Sequence, residues 1–292
     1  MHKPLVSIII TCYNYADYIN EAINSALKQT YKNTEVIVIN DGSTDSSLEK
    51  IKEKQQKYNF KLINQQNHGV TYTRNKGVEK ASGDYILQLD ADDTIPAKYI
   101  ELVLAEIMKK NADIGYTPAI DMVTKKIIVN APEFSLERLK IHNYIHSSAL
   151  VRAKLLKKYR YDKNLSKYGY EDWDVFLSMC LDGAKATPVV STHLNYRIHH
   201  NVPSRSDELN NTVKAIDTNR YIITKHSTSH PKDMIHLMVV ANWLGLLSNL
   251  MQENNKLNHE IDVLNNELLV IKSSKLFKIA KKIHKLLKKL FK

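Results

Sequence analysis

Within the first 95 residues, four short runs rich in Ile, Val and Tyr alternate with three stretches of helical period, and few folds accommodate that rhythm. The runs are "VSIIITCYN" (6 to 14), "TEVIVIN" (34 to 40), "FKLINQ" (60 to 65) and "DYILQLD" (84 to 90). The intervening segments are "YADYINEAINSALKQT" (15 to 30), "SSLEKIKEKQQKY" (46 to 58) and "VTYTRNKGVEKA" (70 to 81). Apolar runs without strict alternation imply strands buried on both faces, and helices between them imply right-handed βαβ crossovers. The expectation is a doubly wound α/β unit, parallel at its start. Ligands of such sheets bind beyond the carboxyl ends of the strands, which here read "TCYN", "NDGSTD" and "DADD". "DGSTDSS" fits a turn leading to a helix N-cap at Ser43 or Thr44. Neither GxGxxG nor GxxxxGK[ST] occurs, so a dinucleotide fingerprint and a P-loop are unsupported.

Past Pro96 the pattern predicts a helix over 97 to 110 and strands around "ADIGYT", "KKIIVN" and "SSALV". A helix follows near "EDWDVFLSMCLDG", and then a last strand at "HLNYRIHH". Residues 208 to 252 read as largely helical. The formal charge of +11 would suit a nucleic-acid binder, but nine lysines and no acid lie in residues 271–292; without them the charge is +2. The body is nearly neutral, so nucleic acid is not the expected partner. Cys12 and Cys180 sit in apolar runs, and no export signal or run of 18 apolar residues is present, which makes the cytoplasm the expected compartment.

"YILQLDADDTIP" places Asp90, Asp92 and Asp93 directly after a buried run. Clustered like charges resist burial and need compensation. Hard divalent cations take oxygen ligands, so the cluster reads as half of a Mn²⁺ or Mg²⁺ site, with a surface turn as the alternative. Such an ion is useful where a diphosphate must be bound and expelled.

"PLVSIIITCYNYADYINEAINSALKQTYKNTEVIVINDGSTDSS", "TRNKGVEKASGDYILQLDADD", "YEDWDVFL" and "YRIHH", in that order and spacing, resemble an inverting GT-A glycosyltransferase of family 2 over roughly residues 4 to 205. The resemblance implies a mixed α/β sheet flanked by helices, a nucleotide-sugar donor that is most simply UDP-linked, and a hydroxyl acceptor on a glycan, envelope polymer or lipid carrier. By position it assigns Thr11, Tyr13 and Asp41 to the nucleoside pocket and Arg74 to the base or ribose. Asp90 goes to the ribose and metal shell, Asp92 to the metal, and His199 to the far side of that metal. It makes Asp172 the general base, beside Glu171 to orient the acceptor hydroxyl. Trp173 would stack on a sugar or fill core, and Arg205 would clamp the diphosphate or lie solvated in a loop. The bland alternatives are a turn role for Asp41, an exposed helical charge for Arg74 and dipole-favoured first-turn acids for Glu171 and Asp172. A sugar-phosphate nucleotidyltransferase would need a Gly-rich loop that "TCYNYADY" lacks. A catalytically silent scaffold is opposed by the joint presence of Asp92, Asp172 and His199.

Three segments are expected: a catalytic domain over 1–205, a helical part over 206–252, and a heptad plus basic amphipathic segment over 253–292. Leu250, Asn254, Leu257, Ile261, Leu264, Leu268 and Ile271 step by four and three, a seam for self-association over 250–271 or for packing back on the domain. Over residues 275–292 a helix would divide into an apolar half and a lysine half, which reads as lying on an anionic membrane surface. That would place the chain peripherally at the inner face of the cell membrane.

Overall fold

The computed structural model of the 292-residue chain describes residues 3–166, 169–199 and 212–273, together with Lys282. Its first part follows the predicted alternation: β1 (Val6–Cys12), α1 (Ile19–Leu27), β2 (Thr34–Asp41), α2 (Ser47–Lys57), β3 (Lys61–Gln65), α3 (Val70–Lys80) and β4 (Tyr85–Asp90). The four strands are parallel in the order β3-β2-β1-β4. The chain therefore reverses its winding between β1 and β4, and that switch point is where a crevice opens at the carboxyl ends. Successive strand residues enter opposite cores: Ile9, Ile37 and Ile39 pack with Val78 of α3, while Ile8, Ile10 and Val38 pack with Ile23 of α1 and Ile51 of α2. Helix α2 begins later than expected. Asp45, not Ser43 or Thr44, accepts from a first-turn amide, that of Ser47 at 3.0 Å.

The sheet then changes character. After α4 (Tyr99–Lys110) come the short strands β5 (Ile114–Tyr116), β6 (Ala119–Asp121) and β7 (Ile127–Val129). They are followed by α5 (Leu136–Ile141), β8 (Leu150–Arg152), α6 (Ala153–Tyr159), a 3₁₀ turn at Lys163–Leu165, α7 (Glu171–Leu181), β9 (Ala186–Pro188) and β10 (Leu194–Tyr196). β8 runs antiparallel to both β4 and β5, and β9 is parallel to β5, giving a seven-stranded mixed sheet ordered β3-β2-β1-β4-β8-β5-β9. A second, three-stranded sheet, β10-β6-β7, caps the carboxyl end. It is tied to the acidic turn by backbone pairing of Thr94 with Asn195.

Two helices complete the described chain: α8 (Thr212–Ser229) and α9 (Pro231–Ser273). α8 docks on α7 through the buried Asp174, whose carboxylate oxygens lie 2.9 Å from His226 Nε2 and 2.8 Å from Lys225 Nζ. α9 runs unbroken through position 252, so the expected boundary between 252 and 253 falls inside one helix. No helix among the described residues is long and apolar enough to cross a membrane.

Candidate active site

The parallel register sets the first half of the site. Thr11, near the end of β1, lies opposite both Ile39 and Asp90, so "TCYN", "DGSTD" and "DADD" emerge side by side. Their loops hold one another: Asn14 Oδ1 accepts from the Thr44 N–H at 2.8 Å, and the Tyr15 N–H donates to Ser47 Oγ at 3.1 Å. Gly42 has φ of +71°, and a Cβ there would lie 2.6 Å from the Asn67 amide nitrogen. Only glycine lets these two turns approach so closely. Asp41 is buried, and it accepts from the N–H groups of His68 at 3.0 Å and Gly69 at 2.9 Å and from the Gln65 amide at 2.8 Å. It thus shapes the loop after β3. Tyr13 stands exposed at the rim. Beside them a groove of about 530 Å³ opens, lined by Asn40, Gly42, Ser43, Asn64, Gln65 and Asn67.

The compensating charge for the acidic turn comes from two arginines. Arg74, on α3, is 4% exposed and uses both ends of its guanidinium. Its Nη2 donates to Asp90 Oδ1 at 2.8 Å and Oδ2 at 3.1 Å, and its Nη1 donates to Glu171 Oε1, 97 residues away, at 2.8 Å. A planar fork suits that double duty, which a lysine could not perform. Burial works against its charge, but Asp90 and Glu171 outweigh burial and raise its pKa. Asn75 fixes the helix by bonding the Tyr161 backbone in both directions, at 2.8 and 2.9 Å, and the Tyr161 ring lies 5.6 Å from the guanidinium carbon. Arg197 holds the other side. Its N–H donates to Asp93 Oδ1 and its Nε to the Asp92 carbonyl, both at 3.0 Å, and its Nη2 reaches Glu21 at 2.7 Å. This clamp carries His199 to 2.9 Å from Asp92 Oδ2, beneath the rings of Tyr15 and Tyr18.

The acids of this turn still raise one another's pKa. Burial and then Asp90 raise the pKa of Asp92, opposed by the His199 hydrogen bond. Burial and then Asp92 hold the carboxyl of Asp93 well above its usual range. Asp92 and His199 stand together as the motifs predicted, and their carboxylate and imidazole suit a hard or borderline divalent ion that would relieve the repulsion. Asp90 is turned toward Arg74, and among the described residues no three acidic, imidazole or thiol groups form a ready-made metal cage.

Helix α7 brings the second acidic pair to this place. Tyr170 caps it in the left-handed region at φ of +60°, and Glu171 and Asp172 open its first turn. Asp172 Oδ1 accepts from the Trp173 N–H at 2.8 Å and from the Asn143 amide at 3.2 Å. Burial first, and the Glu171 carboxylate second, push Asp172 up to about 6, with Arg74 opposing. That value puts a proton acceptor near neutral pH, as general-base work requires. Trp173 is a correction to one of its two expected roles. It is 2% exposed, its Nε1 donates to the Leu139 carbonyl at 2.6 Å, and no ring face is left for a sugar. Arg205 and residues 275–292, Lys282 apart, lie outside the described residues.

Sequence reasoning missed the loop between α5 and β8. Besides Asn143, it supplies Ser147, whose hydroxyl reaches Asp90 Oδ2 at 3.4 Å, and His146, whose Nε2 sits 2.9 Å from the Thr117 carbonyl. Burial lowers the His146 pKa to about 4 against the pull of that carbonyl and Asp90, so it is a neutral ring beside the acids. The one available signal was a polar cluster, "HNYIHSS", directly before a strand.

The family model described as glycosyl transferase family 2 matches residues 7–160. The chondroitin synthase of Pasteurella multocida (strain Pm70) is 32% identical over 240 residues, covering 78% of this chain and 24% of that protein. The uncharacterized glycosyltransferase MJ1057 of Methanocaldococcus jannaschii is 30% identical over 77% of this chain and 80% of its own length. Among solved structures, S. aureus TarS 1-349 in complex with UDP-GlcNAc superposes with a TM-score of 0.64 at 21% identity, covering 76% of this chain and 66% of that one. The chain spans only about a sixth to a third of the length of several curated relatives that it matches.

Proposed function

The chain belongs to glycosyl transferase family 2, and on that premise we propose that it moves a sugar, with inversion, from a UDP-linked donor to a hydroxyl of a glycan, envelope polymer or lipid-linked acceptor. The observation that carries this reading is the Arg74 bridge. One buried guanidinium joins Asp90 of the acidic turn to Glu171 of the α7 pair, so the two halves of a transfer site share one crevice. The binding of UDP-GlcNAc by TarS supports the choice of donor for this chain.

In this reading the nucleoside lies at the ends of β1 and β2 against Thr11, Tyr13 and Asp41, with Arg74 and Asp90 toward the ribose. Asp92 and His199, with Asp90 at the edge, would hold Mn²⁺ or Mg²⁺, which when bound neutralises the diphosphate as it leaves. Asp172 takes the proton of the acceptor hydroxyl as that oxygen bonds to the anomeric carbon and the carbon–diphosphate bond breaks on the opposite face. The two hydrogen bonds at Oδ1 fix the rotation of the carboxyl and leave Oδ2 to accept the proton. Glu171, held by Arg74, keeps the Asp172 pKa high and lines the acceptor side. Arg205, outside the described residues, would be the candidate clamp for the diphosphate. The lysine-rich segment 275–292 would hold the chain on an anionic membrane, which suits a lipid-linked or envelope acceptor.

Asp172→Asn tests the assignment. It keeps the shape of the side chain but cannot take the proton, so transfer should fall by at least ~10²-fold while calorimetric affinity for UDP with Mn²⁺ is retained. Wild-type turnover in this variant would remove Asp172 from the chemistry. UDP affinity that is equal with Mn²⁺ and with EDTA would remove the metal.

A further inference from the structure

Beyond Gly245 the described side chains of the last helix are mostly exposed. Gly245 itself is buried against Arg220 of α8, whereas every residue from Gln252 to Glu267 is exposed. Leu257 and Ile261 are each 53% exposed and Leu264 is 62% exposed. No Gly or Pro follows Gly245 within the helix, and it stays unbroken to Ser273. The helix itself therefore does not fold back, and its continuously exposed stretch from Gln252 to Glu267 is about 24 Å long at 1.5 Å per residue. A helix with a solvated apolar stripe draws little stability from its own propensity and needs a partner for that face.

The heptad identifies the partner. With Leu250, Leu257, Leu264 and Ile271 at d, the a positions are Leu247, Asn254, Ile261 and Leu268. A single Asn at an a position, set between leucines at d, specifies register and oligomer state in two-stranded parallel coils by pairing with its own copy. The flanking charges fix the direction. The g positions are Glu253, Glu260 and Glu267, and the e positions that follow five residues later are Asn258, Asn265 and Lys272. Antiparallel pairing would set g against g and oppose glutamates along the whole seam. Parallel pairing sets each glutamate against an amide or a lysine.

We propose that residues 247–271 form a parallel, in-register, two-stranded coiled coil with a second copy of this chain. The two lysine-rich segments 275–292 then leave from the same end, doubling the basic charge that one membrane contact could present.

Sedimentation equilibrium of the full chain tests this. The expected mass is twice 33.6 kDa. The double change Leu257→Lys with Ile261→Lys should weaken association on the order of a hundredfold or more, while His259→Lys, at the outer f position, should leave it unchanged. The altered side chains are solvated in the single chain, so thermal unfolding of the body should match wild type, while far-UV circular dichroism should lose only the helix of the released tail. Leu250→Cys and Leu264→Cys should each form a disulfide with its own kind on oxidation, because Cys12 and Cys180 are buried. A monomeric or trimeric wild-type mass would overturn the proposal. So would cross-linking seen only when the two cysteine variants are mixed, which is the antiparallel outcome, or association unchanged by the double lysine variant.

Discussion

Two residues apart on α7, Asp172 and Asp174 enter two polar clusters that solve opposite problems. Asp174 shares its oxygens between Lys225 and His226, and Lys225 also reaches Asp162 at 2.9 Å. Acids and bases there are matched. Burial opposes the charge on Lys225, yet Asp174 and Asp162 outweigh it and raise its pKa. Asp172 instead belongs to a group with Asp90, Asp92, Asp93 and Glu171, which among the described residues meets the permanent positive charges of Arg74 and Arg197. Its carboxyl is pushed up, not down. A balanced cluster fastens a helix; an unbalanced one stores an affinity for a cation or a proton.

The largest expected effect comes from removing the charge that keeps the unbalanced cluster folded. Arg74→Met leaves the buried Glu171 and the partly exposed Asp90 without their shared guanidinium. Breaking a buried pair from one side costs about 3–5 kcal/mol, or on the order of 10 °C in melting temperature for a domain of this size. Adding Glu171→Gln should recover part of it. A melting temperature unchanged in Arg74→Met would mean that the acids relax into solvent and that the bridge is incidental.

Asp174→Asn addresses the balanced cluster and should cost less, about 1–3 kcal/mol, because a neutral amide can still hydrogen-bond and Lys225 is partly solvated. The loss should appear as faster amide exchange in α8 with the sheet still protected. Uniform acceleration through β1 to β4 would show that α8 is integral to the body and not an attachment.

The contrast also marks what the sequence could reveal. Strands β1 to β4 are five to eight residues long and rich in Ile and Val, so their pattern stands out from the helices between them. β5, β6 and β9 have three residues each, too few to show a period, and α5 and α6 have six and seven. β6, β9 and both of these helices went unpredicted. The candidate site residues were legible as residue types: Asp90, Asp92, Glu171, Asp172 and His199 come into one crevice. Their pairings were not legible. That Arg74 would turn inward to join residues 16 and 97 positions away follows from how α3 packs across β1 and β2, and no local motif encodes that. The same holds for Asn143, His146 and Ser147, which a loop of unremarkable composition delivers.

The pH dependence sharpens the difference between the clusters. A base with a pKa of about 6 must be ionised to work, so kcat/KM should fall about tenfold per unit as pH drops below 6. Stability runs the other way. The unfolded Asp172 ionises near 4 and the folded one near 6, so between those values unfolding releases a proton and the fold gains stability as pH falls from 6 to 4. Asp172→Asn should remove the activity limb and the share of the stability slope that Asp172 contributes, leaving the share of Asp92 and Asp93, whose carboxyls are also raised. An activity limb that survives with its midpoint near 6 would assign the titration to another group.

The smallest effect belongs to Trp173→Phe. The ring occupies the core against α5, and its indole N–H meets the Leu139 carbonyl. Phenylalanine keeps most of the apolar contact and loses one buried hydrogen bond, at a cost of about 1–3 kcal/mol including the carbonyl left behind. Because the side chain faces away from the crevice, KM for the acceptor should stay within about twofold of wild type, far below the ~10-fold change that losing even 1.4 kcal/mol of sugar stacking would bring. A raised acceptor KM with an unchanged melting temperature would move Trp173 out of the core and into the acceptor site. It would also show that α7 rearranges when substrate binds, and the separation between its fastening face and its reacting face would then hold only for the free protein.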